Sequence, residues 1–247
     1  MSKEPVISVS NLIARYGEKT ILDGISVNIY PEEITVILGG SGCGKTTLIK
    51  NILRLFEPYD GSVKIFGKEV VGMPEEQFDE ILKHVGMLFQ NGALLNSIPV
   101  FDNISIPLEQ HTNLPYELRK RVILKKLNLV NLDHAVYLYP SELSGGMKKR
   151  AALARAMALD PEILVFDEPS AGLDPLTSAS LDELILKLRD QLNVSVLVVT
   201  HELASIHRIA DRIIFLEAGK LLFHGTLEEA KNCKIDSVIE FFEVGTF

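Results

Sequence analysis

The residues Gly39-Gly40-Ser41-Gly42-Cys43-Gly44-Lys45-Thr46 fit the pattern G-x-x-x-x-G-K-[ST], and the chemistry of that pattern is phosphate binding. Its glycines let successive backbone N–H groups turn inward on an anion, at the positive end of the dipole of the helix that follows. Lys45 is placed to reach β- and γ-phosphates and the Thr46 hydroxyl to ligate Mg²⁺, with Thr47 next to them in the same binding set. A second constellation closes the apolar run Ile163-Leu164-Val165-Phe166 with two carboxylates, Asp167 and Glu168. Strand alternation sends neighbouring side chains to different sides, so Asp167 is expected to hold Mg²⁺ through water while Glu168 faces an attacking water as general base. His201 ends the run Val194-Ser195-Val196-Leu197-Val198-Val199-Thr200, at the carboxyl end of a buried strand, where open α/β sheets bind ligands. Ser144-Gly145-Gly146 precedes the helix-forming stretch 148–159 and makes a second anion-binding helix end.

These groups need elements to hold them. Ile34-Thr35-Val36-Ile37-Leu38 reads as a buried strand and 47–53 as a helix, which is the context the phosphate loop requires. His84-Val85-Gly86-Met87-Leu88-Phe89 reads as another buried strand that delivers Gln90 to the loop signal Asn91-Gly92. Short β-rich stretches over 7–16, 24–30 and 61–67 predict an antiparallel β-subdomain around the start of the chain. Tyr16 lies near the end of the first of them and, taken alone, is an amphipathic packing residue. From 92 to 140 the pattern is helical and polar; apolar positions 118, 122, 124 and 127 lie under a charged face that reads as solvated. Residues 177–192 predict a helix, and 211–223 a hairpin turning near Ala218-Gly219. The amphipathic tail Val238-Ile239-Glu240-Phe241-Phe242 could pack on its own domain or on a partner.

Composition narrows the classes. A chain of 247 residues can bury a substantial core, as one large domain or a domain with a subdomain. Its apolar runs are far shorter than a bilayer span, and Met1-Ser2-Lys3-Glu4-Pro5 lacks the apolar segment of a secretory leader, so a cytoplasmic location is expected. With 25 Lys plus Arg against 33 Asp plus Glu and a net charge of -8, no basic block stands out, which disfavours direct nucleic-acid binding. The two cysteines, Cys43 and Cys233, form no disulfide framework, and no Cys/His spacing reads as zinc.

The ordered series Tyr16, 39–46, Gln90, Ser144-Gly145-Gly146, Asp167-Glu168, Asp174 and His201 resembles the nucleotide-binding subunit of an ATP-binding cassette (ABC) transporter, over nearly the whole chain. The resemblance implies an α/β fold: a RecA-like P-loop core with a parallel sheet, an N-terminal antiparallel β-subdomain and an inserted α-helical subdomain. The expected division is 1–90 and 160–247 for the core with its β-subdomain, and 91–159 for the helical subdomain with the signature motif. It also implies that Tyr16 stacks on adenine, that Gln90 senses Mg²⁺ and a transmembrane partner, and that His201 contacts the γ-phosphate. Two chains would sandwich two ATPs head to tail, each presenting Ser144-Gly145-Gly146 to the other's ATP, with Asp174 at the dimer seam. The signature ends in Met147 where Gln is common. With Gln90-Asn91-Gly92-Ala93-Leu94-Leu95, Val100-Phe101-Asp102-Asn103-Ile104 and Ala151-Ala152-Leu153-Ala154-Arg155-Ala156, this is similar to the ATPases of MCE-type lipid transporters. That similarity implies a polytopic permease, a membrane-anchored lipid-binding MCE protein, and a place at the cytoplasmic face of the inner membrane. The chain has neither the long coiled-coil insertion nor the second cassette usual in ABC proteins that act on DNA or ribosomes.

Overall fold

The structure, a computed structural model, describes residues 4–243; Met1-Ser2-Lys3 of the stretch read above for a leader lie outside them. The chain opens with β1 (Ile7–Tyr16) and β2 (Lys19–Ile29), which pair antiparallel. Their buried positions, Ile7, Val9, Leu12 and Ala14 on one and Leu22, Ile25, Val27 and Ile29 on the other, give the sheet one apolar face. The second strand starts at Lys19, earlier than its apolar stretch suggests, because a tight turn at Gly17 (φ 60°) sends the chain straight back. Next come β3 (Ile34–Leu38), buried throughout, and α1 (Lys45–Ile52). They are followed by β4 (Asp60–Ile65), β5 (Lys68–Glu69), α2 (Glu75–Leu82) and β6 (Val85–Leu88). Three helices, α3 (Val100–His111), α4 (Tyr116–Leu129) and α5 (Gly145–Ala156), intervene before β7 (Ile163–Asp167). The chain continues with α6 (Pro175–Leu192), β8 (Ser195–Val199), α7 (Leu203–Ile209) and the hairpin β9 (Arg212–Glu217) and β10 (Lys220–Thr226). It ends in α8 (Leu227–Lys231) and α9 (Asp236–Glu243).

Two sheets result. One is antiparallel, in the order β2-β1-β4-β5; the other runs β10-β9-β3-β8-β7-β6 and is parallel except for β10. This is the α/β arrangement expected from the sequence. Period-two alternation divides the parallel sheet between two cores. Ile34, Val36, Leu38, Leu164, Phe166, Val196 and Val198 face one core, with the apolar sides of α3 to α7. Ile37, Ile163, Val165, Leu197 and Val199 face the other, with α1, α2 and the antiparallel sheet. Each fully buried aliphatic side chain contributes about 1.5–3 kcal/mol, so both faces of the sheet are fixed firmly.

The tail settles on its own domain. Val238 is fully buried, the Phe241 ring meets Phe215 edge-on at 5.5 Å, and Phe242 lies 5.6 Å from the His207 ring. For the site, the decisive feature is the strand order: β3, β8 and β7 are neighbours and parallel, so the loops after Leu38, Val199 and Asp167 all leave from one edge of the sheet.

Candidate functional site

The phosphate loop leaves β3 at Gly39, and only glycine fits there. Its φ is 139°, and a Cβ would stand 2.0 Å from the Leu216 carbonyl oxygen of β9. The loop is therefore pressed against the sheet. Lys45, the first residue of α1, turns back and donates from Nζ to the carbonyls of Gly39 at 2.8 Å and Gly40 at 2.9 Å. Cys43, Gly44 and Thr47 are buried, whereas Gly40, Ser41, Gly42 and Thr46 are exposed at the lip of the loop.

The Thr46 hydroxyl lies near enough to the Asp167 carboxylate to stabilise its charged form. Burial, reinforced by the neighbouring Glu168 charge, pushes the Asp167 carboxyl above its usual range, opposed by Lys50, Thr46 and Lys45. A half-buried carboxylate so placed gains from a cation beside it, and its hydroxyl partner is an oxygen ligand of the type Mg²⁺ takes. Among the described residues, no cluster of three or more His, Cys, Asp or Glu side chains could hold a metal ion. The donor set suits Mg²⁺, which keeps several waters and shares its coordination with substrate phosphates.

Glu168 lies beyond the end of β7, so strand alternation does not orient it. It takes a left-handed backbone conformation, φ 49°, which costs a non-glycine residue on the order of 1–3 kcal/mol. The bend is held by its N–H, which donates to the Val199 carbonyl at 2.9 Å, and by its own carbonyl, which accepts from Ala171 N–H at 3.2 Å. Its carboxylate meets His201 Nδ1 at 2.9 Å. The Glu168 side chain is only 15% exposed and that of His201 67%, so the imidazole covers an otherwise enclosed acid. The turn carrying His201 is pinned to α6: the Ser178 hydroxyl donates to the Glu202 carboxylate at 2.9 Å, and Glu202 N–H to Thr200 Oγ1 at 3.1 Å.

Gln90 follows β6 with an exposed side chain, while its main chain is gripped from α5. Lys149 Nζ donates to the Gln90 carbonyl and, at 3.2 Å, to the Glu168 carbonyl. Arg155 donates to the carbonyls of Gly92 at 2.8 Å and Ala93 at 2.7 Å.

Ser144 caps the start of α5, its hydroxyl accepting from Met147 N–H at 3.3 Å, and it lies exposed with Gly145. Gly146 is packed so closely on α6 that a Cβ would come within 2.6 Å of Thr177 Cγ2. Asp174 caps α6, accepting from the N–H groups of Leu176 and Thr177 at 3.1 Å and from the Thr177 hydroxyl, which holds its carboxyl below the usual range. Tyr16 stands at the end of β1, its ring 4.5 Å from that of Phe56 and 46% exposed; beside it the Arg15 guanidinium lies 3.8 Å over the Tyr59 ring.

The structure thus brings together the phosphate loop, Thr46, Asp167, Glu168 and His201, and ties Gln90 to Glu168 through one lysine. Ser144 and Asp174 form a separate group at the starts of two adjacent helices. Sequence reasoning missed Lys149, Arg155, Glu202 and Phe56. For Lys149 a signal existed: it lies three and four residues before the fully buried Ala152 and Leu153, on the helix's buried face. Phe56 and Glu202 carry no local signal, since only the fold brings them to their partners.

Comparison with known proteins agrees with this geometry. The family described as "ABC transporter" matches residues 22–171. The intermembrane phospholipid transport system ATP-binding protein MlaF of Haemophilus influenzae is 39% identical over 238 residues, covering 96% of this chain and 90% of that one. MlaF of Escherichia coli strain K12 is 42% identical over 212 residues, 86% of this chain and 79% of that one. Among solved structures, a dimeric post-hydrolysis state of the ATP-binding cassette MJ0796 bound to ADP and Pi superposes with a TM-score of 0.81 at 28% identity, covering 90% of this chain and 98% of that one. A phosphate loop, an enclosed carboxylate paired with a histidine at the same sheet edge, and this breadth of similarity lead to one conclusion: the chain belongs to the ABC transporter family, as an ATP-binding, ATP-hydrolysing subunit.

Proposed function

We propose that this chain powers phospholipid transport through a membrane permease, working as a homodimer at the cytoplasmic face of the inner membrane. The observation that carries the chemistry is the Glu168–His201 pair, 2.9 Å apart and adjoining the Thr46–Asp167 pair at the edge where the phosphate loop emerges. The cargo is inferred from the MlaF relatives, whose name describes intermembrane phospholipid transport.

In this reading residues 1–90 and 160–247 form the ATP-binding core with its β-subdomain, and 91–159 the helical subdomain. The inward-turned N–H groups of 39–46 and Lys45 bind the phosphates, and Tyr16, backed by Phe56, stacks on adenine. Thr46 and Asp167, with Gln90, would hold Mg²⁺, which when bound would neutralise charge on the phosphate oxygens. Glu168 takes the proton of the attacking water, and its enclosure favours that exchange by excluding bulk solvent. His201 orients the carboxylate and reaches the γ-phosphate from the exposed side of the acid. Ser144 and Gly145 lie exposed and, with Gly146 packed beside them on α6, meet the ATP held by a second copy, with Asp174 at the seam between copies. ATP then bridges two half-sites and favours the closed dimer by binding it better than the open one, until hydrolysis removes the bridge. Among the described residues no helix is long and apolar enough to cross a membrane. By analogy with the phospholipid transport relatives, a permease and a lipid-binding MCE protein are taken as partner chains.

The test is to tag a Glu168→Gln chain, solubilise membranes in mild detergent with ATP and Mg²⁺, and identify what co-purifies. A multi-span permease with an MCE-domain protein and bound phospholipid supports the reading. A solute-binding protein system, ribosomes or DNA without an MCE component would overturn the cargo and leave the ATPase chemistry standing.

A further inference from the structure

Glu168 is a bent residue whose bend must be maintained from outside. Its N–H is held by β8 through Val199, and its carboxylate meets His201. The carbonyl is held in part by Lys149, a side chain from another helix, 19 residues earlier in the chain. Lys149 is 6% exposed, and its ammonium also holds the Gln90 carbonyl, 59 residues away. A buried ammonium without compensation is costly, yet among the described residues no carboxylate makes an ion pair with this one; the acceptors it meets there are two loop carbonyls. Burial pushes the Lys149 amine below its usual range, and the nearby charges of Glu168, Asp167 and Glu202 oppose that shift. The same helix, α5, begins at the Ser144 cap and grips Gly92 and Ala93 through Arg155. Its N-terminus, the loop after β6 and the bend after β7 are therefore connected at one nitrogen.

We propose that Lys149 is a positioning residue for hydrolysis: it holds the main chain of Glu168 and Gln90 to the helix that carries Ser144, so that the orientation of that helix sets the aim of the Glu168 carboxylate. This rests on the assignment of Glu168 as the base. Lys149 does not touch the nucleotide in this scheme. Removing it leaves the phosphate loop intact, while the bend that aims the carboxylate loses one of its supports. A displacement of the base by a fraction of an ångström to one ångström is sufficient to slow the step substantially.

The test compares Lys149→Met, which keeps length but no donor, with Lys149→Arg, which keeps the charge and the donors, in the full chain. Lys149→Met is expected to lower kcat about 10- to 100-fold with KM for ATP changed by less than about threefold, and Lys149→Arg to recover most of the loss. Under single-turnover conditions, adding Lys149→Met to Glu168→Gln is expected to cost less than about twofold further, because the two act through one carboxylate. Should Lys149→Met fail to fold, Lys149→Leu, which also lacks a donor, carries the same comparison. An unchanged kcat, equal losses in kcat and nucleotide affinity, no recovery with Arg, or full additivity with Glu168→Gln would each overturn the proposal. If Glu168→Gln itself keeps full turnover, the reading of the site fails; a normal Lys149→Met beside a stalled Glu168→Gln defeats this inference alone.

Discussion

The chain contains two glycine-rich helix starts suited to anions, and the fold secures them differently. At 39–46 the loop is anchored by the rest of the chain while 40–42 and Thr46 stay exposed at its lip: Gly39 is pressed on Leu216, Lys45 is drawn back onto two loop carbonyls, and Thr46 neighbours Asp167. At 144–146 Ser144 and Gly145 lie exposed, and the hydroxyl of Ser144 caps its own helix. One end is held by contacts from β9 and β7, and the other by its own helix cap and the packing of Gly146 on α6. In the proposed reading, similar local chemistry serves as a binding site in one place and half of a site in the other, and the difference lies in what the rest of the fold packs against each turn.

The comparison can be tested from either side, and the largest effect is expected at the phosphate-loop end. Glu168→Gln should lower steady-state ATP turnover about 10²- to 10⁴-fold, the range for loss of a general base, while nucleotide binding persists; phosphate release and equilibrium binding measured together check this. Gly39→Ala should destabilise the fold by about 3 kcal/mol, since the new methyl would collide with a sheet carbonyl at a φ that disfavours any side chain. Thermal unfolding beside Gly40→Ala is the control, because a Cβ at Gly40 meets nothing within 4 Å. Lys45→Ala should weaken nucleotide affinity about 10- to 100-fold, the equivalent of one charge-assisted hydrogen bond. Equal ATP affinity in Lys45→Ala and the parent chain would break the account of the phosphate-loop end.

The same contrast explains what was legible in the sequence. The phosphate loop, the acids after Phe166 and the histidine after Thr200 could be read because each lies in contiguous residues whose order specifies strand, turn and helix. The apolar runs of β3, β7 and β8 were legible for the same reason, being buried on both faces. The orientation of Glu168 was not. Alternation along a strand separates Asp167 from its neighbour only while the strand continues, and here it ends at Asp167 and the next residue turns left-handed. Lys149 sits in the run Lys148-Lys149-Arg150, which on composition resembles a solvated face; helix phase buries the middle residue, and only the fold supplies carbonyls from residues 90 and 168. Contacts across 19 or 59 residues leave no mark in local spacing.

At the outward end the expected effect is smallest in one measurement and specific in another. Ser144→Ala removes a helix cap, a change typically worth about 1 kcal/mol, so the melting temperature of the isolated chain should fall by only a few degrees. ATP affinity of the monomer should stay within about twofold, because the phosphate loop and Lys45 are untouched and the hydrogen bonds of Ser144 are made to its own helix, through Met147 and Lys148. ATP-driven pairing of the Glu168→Gln chain, followed by size-exclusion chromatography with light scattering, should nevertheless weaken about tenfold, the equivalent of losing one hydrogen bond to a charged group. The two readouts separate the roles of the hydroxyl. If pairing falls only in proportion to lost stability, Ser144 is a helix cap and nothing more; if pairing falls while folding and monomer binding hold, the exposed turn is the surface through which one copy meets the nucleotide of the other.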